Sequence, residues 1–118
     1  MVVGFDPLFQ FLEEDDAARG ITLAVDKRPR GIFNVCGPMA VPLSTIARET
    51  GRTVIPIPEP ILVQLLGRFG FPNLPKGALE HIKFPIVADG SAYRAATGFL
   101  HATSEVEALR RYRRISPV

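Results

Sequence analysis

Glu13-Glu14-Asp15-Asp16 is the densest run of titratable side chains in the sequence. Four carboxylates in succession can hold a cation, or share a proton in acid/base work because each makes the next harder to ionise. A helix N-terminus uses the same residues, where acids accept orphan backbone N–H groups and suit the positive end of the dipole. Ala17, Ala18, Ile21, Ala24 and Val25 follow at helical spacing, which favours the capping role. A phenol becomes an acid/base group when a lysine four residues on lowers its pKa. Here Thr97 stands four after Tyr93 and Ser116 four after Tyr112, so neither tyrosine qualifies. His81 and His101 have neither metal-ligand nor triad spacing and read as surface or satisfied histidines. Ser44, Ser91, Ser104 and Ser116 lack a nucleophile elbow. The scattered glycines form neither Gly-x-Gly-x-x-Gly nor a P-loop, so nothing here cradles a dinucleotide phosphate. On residues alone the chain carries no catalytic set and no metal ligand set.

Cys36 is the single cysteine, which excludes an intrachain disulfide and a thiolate metal site and fits a reducing cytoplasm. Its apolar surroundings predict a small buried hydrophobe. Charge is uneven: residues 1–60 carry eight acids and six bases, residues 61–118 four acids and eight bases. Arg110, Arg111, Arg113 and Arg114 supply half of that second set of bases. No aromatic platform accompanies them, so they predict a solvated last helical turn and argue against nucleic acid as a partner. No apolar stretch reaches membrane-span length, and no basic-then-apolar leader follows Met1.

These groups must be positioned by short elements. With 118 residues, 47% of them hydrophobic and 22% charged, the chain is one globular unit or a piece of one. It is too short for a dinucleotide-binding unit plus a substrate domain. Eleven prolines and ten glycines punctuate the apolar runs. Strands are predicted at Val2–Phe5, Ile32–Val35 and Thr53–Ile55. Helices are predicted from the acidic run to about Lys27, over Leu43–Thr50 closed by Gly51, over Ile61–Phe69, and over Gly77–Ile82. Two more follow: Ser91–Thr97, capped by Asp89 and closed by Gly98, and one opened by the Ser104-x-x-Glu107 capping box. Phe84–Ala88 is extended. The pattern is α/β, with strands few and short.

The order of these segments resembles the C-terminal half of the extended short-chain dehydrogenases/reductases, the NAD-dependent epimerase/dehydratase family. Gly4 to Ala18, with Asp6-Pro7, Gln10-Phe11 and Asp15-Asp16, is similar to that family's aromatic-apolar-His-x-Asp-Asp segment, in a variant that looks bacterial. Gly31-Ile32-Phe33-Asn34-Val35-Cys36-Gly37 resembles the following strand, Leu43 to Ala47 the next helix, and Val54 to Pro58 the next strand and its proline. Asp89 to Phe99 resembles the Asp-x-Ser helix near the family's end, and Ser104 to Tyr112 its closing helix. Glu13 stands where the family has histidine, Thr97 where it has leucine, and Leu100-His101 where it has Lys/Arg-Pro.

The resemblance implies a substrate-binding lobe of a Rossmann-fold reductase without the dinucleotide-binding core, spanning residues 1–118 and not catalytic alone. NAD(P) is implied for the complete family member and not for this chain by itself. Phe9, Gln10 and Phe11 are the implied cleft residues, with plain packing as their ordinary role. The other reading is a stand-alone interaction module that self-associates through Ile61, Leu62, Leu65, Leu66 and Phe69, because so wide an apolar face must be covered by something.

Overall fold

Proline and side-chain caps set where the helices of this protein begin. The structure, a computed structural model, describes residues 1–116. Helix α1 (Glu14–Lys27) opens on Glu13, whose carboxylate accepts the Asp15 N–H at 2.8 Å. It closes on Arg28 in the left-handed region. Helix α2 (Leu43–Thr50) follows Pro42 and ends at Gly51, which takes the same left-handed turn and donates its N–H to α2 carbonyls. Helix α3 (Glu59–Leu65) has proline in its first turn, where no N–H is needed, and α4 (Lys76–Lys83) starts directly after Pro75. Helix α5 (Ser91–Thr97) has Gly90 at its N-cap position, yet the carboxylate of Asp89 accepts the Ser91 N–H at 2.8 Å from one residue earlier. Helix α6 (Glu105–Ile115) opens on Ser104, whose hydroxyl accepts the Glu107 N–H.

Strand β1 (Leu8–Gln10) pairs antiparallel with β2 (Ala40–Pro42), Phe9 opposite Val41. Six helices and this one sheet, among the described residues, make a small α/β protein. The three strands expected at residues 2–5, 32–35 and 53–55 do not form. Val2 makes a single bridge to Ile57, and the other two runs have no ladder among the described residues. An apolar run becomes a strand only where another backbone lies alongside it, and Ile32 projects fully into solvent. The helix expected over residues 61–69 starts at Glu59 and stops at Leu65, because Gly67, Phe69 and Gly70 all have positive φ.

Two packed regions result. In the first, Val2, Leu62 and Leu79 form a core against which Phe5, Ile57, Leu66, Phe71 and Ile82 pack. Lys83 lies 3.0 Å from both Glu59 and Glu80 beside it, and the hydrogen bonds to those two carboxylates hold its pKa above the ordinary range. Leu62 and Leu66 of the apolar 61–69 set are therefore used inside the chain, while Ile61 and Phe69 remain outside, Phe69 at 88% exposure. In the second region α1 packs on α5 and α2 on α6, with Tyr93 and Phe99 tilted together at 5.8 Å and Leu109 buried on α6.

The chain exposes 8142 Å², against about 6,300 Å² for a folded monomer of its mass. Its radius of gyration is 17.2 Å, against about 13.5 Å for a compact domain of this length. Ile21, Val25, Ile32, Leu100 and Ile115 contribute to that surplus. Among the described residues no helix is long and apolar enough to cross a membrane.

Candidate functional site

Gln10 leaves the edge of β1 and clamps the extended segment before α5. Its amide oxygen accepts the Ala88 N–H at 2.6 Å and its amide nitrogen donates to the Ala88 carbonyl at 3.1 Å, so the side chain imitates a strand neighbour. Phe9 bridges Ile86 just before it. The segment at 34–37 closes the opposite wall: the Cys36 thiol donates to the Ala88 carbonyl at 3.3 Å and the Asn34 amide reaches the Asp89 carbonyl at 3.5 Å. At Gly37 the chain passes so close to Phe11 that any Cβ would collide with the Phe11 carbonyl, which is why a glycine stands there. Asp89 accepts both the N–H and the hydroxyl of Ser91. Those bonds, with the charge of Arg94, hold its carboxyl below the ordinary range.

His101 completes the site from the far side. Its Nε2 lies 2.7 Å from the Cys36 carbonyl, so that nitrogen carries the proton and donates. Asp16 fixes the loop that carries His101. Only 1% of Asp16 is exposed, and it accepts the N–H groups of Ala102 at 3.0 Å and Thr103 at 3.1 Å while pairing with Arg19 at 2.6 Å. Burial alone would raise the Asp16 carboxyl. The two N–H groups, with Arg19 and His101, outweigh it and hold the carboxyl below its ordinary value. Glu105, also buried, accepts the Met39 N–H, and burial pushes its carboxyl up.

The space between these groups is a partly open cavity of about 220 Å³, with Gln10, Asn34, Cys36, Arg94 and His101 among its walls. Amide, thiol, guanidinium and carboxylate groups line it together, most of them already bonded within the chain, and Arg94 and Asp89 add one charge of each sign. Tyr93 also lines it, but its hydroxyl donates to the Gly20 carbonyl of α1 and so acts as a strut between helices.

The three expected cleft residues are split by strand alternation. Gln10 reaches the cavity. Phe9 sits in the ladder, and Phe11 lines an apolar cleft with Ile46, Leu109 and Tyr112 on another side. Cys36, expected as a buried hydrophobe, is half-buried at the cavity wall because its thiol is drawn to the Ala88 carbonyl. The acidic run divides as capping predicts at Glu13, while Asp16 ties a distant loop. Among the described residues, no three His, Cys, Asp or Glu side chains converge as a metal site. The C-terminal arginines are partly paired: Arg110 with Glu49 at 3.0 Å, and Arg111 with Glu107 at 3.2 Å and Glu13 at 3.4 Å. Asn34, Arg94 and His101 escaped sequence reasoning because only the tertiary fold brings them together, although two of them lie inside segments that carry the family resemblance.

Set beside family models, curated proteins and solved structures, the chain matches none of them.

Proposed function

We propose that this chain is the substrate-binding portion of a protein resembling the NAD-dependent epimerases/dehydratases, working in a reducing cytoplasm and not catalytic by itself. In this reading it is the C-terminal part of a Rossmann-fold reductase. The observation that supports it is the make-up of the cavity. Gln10, then Asn34 to Gly37, then Asp89 to Phe99 line one space, and these come from three of the segments that carry the family resemblance. A cavity of about 220 Å³ is smaller than the roughly 300–1,000 Å³ of a complete ligand pocket, as one wall of a shared cleft would be. The other wall, with the nicotinamide cofactor and the Tyr-x-x-x-Lys pair, belongs to a nucleotide-binding portion that this sequence does not include. Phe9 and Phe11 then act by packing, and Gln10 by shaping the cavity.

Calorimetric titration of NAD(H) and NADP(H) into the chain tests the reading. The expected result is no tight binding, and micromolar or tighter binding of either cofactor overturns it. A Gly-rich βαβ unit and a Tyr-x-x-x-Lys in the reading frame upstream of Met1 are the companion expectation.

A further inference from the structure

We infer that the outer face of α1 is a self-complementary docking surface whose partner is a second copy of this chain, bound antiparallel about a two-fold axis at Ile21. Asp16 and Gly20 point inward from α1 and are buried. The opposite side carries Glu14, Ala17, Ala18, Ile21 and Val25, which fall within one stripe at about 100° per residue. Ile21 is 68% exposed and Val25 66% exposed, a large apolar surface for the middle of a helix. Beside them runs a groove of about 450 Å³ floored by Leu12, Ala17, Ala24, Phe33 and Val35. Ile32 stands fully exposed at its side.

The ends of the helix are oppositely charged. Glu14 and Asp15 begin it and Lys27 and Arg28 end it; all four are exposed, and none forms a salt bridge among the described residues. At about 100° per residue Asp15, Asp26 and Lys27 all project off the stripe, so Glu14 and the capping residue Arg28 are the charges that can meet across it. A two-fold axis at Ile21 therefore does three things at once. It sets Ile21 against its own copy, Val25 against the partner's Ala17, and the basic end at Arg28 against the partner's Glu14. The large residue meets the small one and each charge meets its opposite, as an isologous contact requires. A parallel partner would instead meet like charges at both ends. The whole chain, this face included, exposes roughly 1,800 Å² more than a compact monomer of its mass.

Sedimentation or light scattering on the full chain across a concentration series tests it. The expected species is a dimer of the 12.9 kDa chain in equilibrium with monomer. Ile21→Glu sets two like charges across the axis and is expected to weaken dimerisation about a hundredfold, with the far-UV circular dichroism unchanged. Glu14→Arg, an exposed substitution that leaves folding intact, is expected to weaken it about tenfold, and adding Arg28→Glu to it is expected to restore it. A chain that is monomeric at every accessible concentration overturns the inference. So does a dimer that survives Ile21→Glu or that is broken by Phe69→Glu.

Discussion

Around α3 and α4, Val2, Leu62 and Leu79 close on one another with a ring of partly buried apolar neighbours. Around α1 and α5 the joints are of another kind, side chains that bond to distant backbone: Gln10 to Ala88, Asp16 to Ala102 and Thr103, Tyr93 to Gly20, His101 to Cys36. Apolar contact is non-directional and gives cohesion. A bond from a side chain to one particular carbonyl or N–H gives position. The second region needs position because its cavity is walled by loops, and a loop has no regular ladder of its own to hold it. The difference shows where each region is vulnerable. The first loses stability in proportion to the area removed, whereas the second loses its shape when a single polar tie is cut.

The most severe break expected is Asp16→Ala. It leaves the N–H groups of Ala102 and Thr103 without their acceptor and the Arg19 guanidinium with the Leu100 carbonyl alone, at about 3 kcal/mol in chemical denaturation. Leu62→Ala follows at about 2–3 kcal/mol, low in the range for a core leucine because the cluster is small. The two variants should be separable optically. Both tyrosines, Tyr93 and Tyr112, lie in the second region, so Asp16→Ala should alter tyrosine emission well below the unfolding midpoint and Leu62→Ala should not. Gln10→Ala is expected to cost about 1 kcal/mol and to speed thiol labelling of Cys36, because Ala88 loses the clamp that keeps its carbonyl against Sγ.

Within the second region, acid titration separates the two buried carboxylates, which pull in opposite directions. The Asp16 carboxyl lies below its ordinary 3.8, so the stability it supplies is complete above 3.8 and is lost as pH falls through its folded value. The Glu105 carboxyl lies above its ordinary 4.5 because of burial, so stability is gained as pH falls through its folded value and the gain is complete below 4.5. Wild-type stability should rise slightly on acidification toward 4.5 and then fall below 3.8. Glu105→Gln should remove the rise and change stability at neutral pH by less than about 1 kcal/mol. Asp16→Asn should remove its share of the fall. Melting temperatures across the pH series check both.

The helices were legible because their boundary signals are local. Glu13 before an apolar period, Pro42, Pro75, Ser104, Gly51 and Gly98 each start or stop a helix through chemistry within a few residues. The sheet was not legible. Residues 8–10 and 40–42 are too short to show a period, and what makes them strands is each other, thirty residues away in sequence. The run at 32–35 had the composition of a strand and lacked the neighbour, while the run at 53–55 meets the N-terminal segment only at its end, where Met1 donates to the Ile55 carbonyl and Val2 bridges Ile57. Gln10 was named as a cleft residue through a family resemblance, and it does reach the cavity. Arg94 and His101 carried no local mark at all: Arg94 reaches the cavity from α5, and His101 is placed there because Asp16, far along the chain, accepts the N–H groups of the loop behind it.

The close passage at Gly37 has a consequence for the protein's history under mutation. A cavity wall made where two backbones touch admits no side chain of any size, so alanine is as damaging there as tryptophan. In a library of all single substitutions selected for folding, position 37 should be emptied of variants. Met39, two residues on, has its side chain in solvent and should tolerate many. The contrast would come from one missing methyl group, and it would trace the edge of the cavity in sequence data alone.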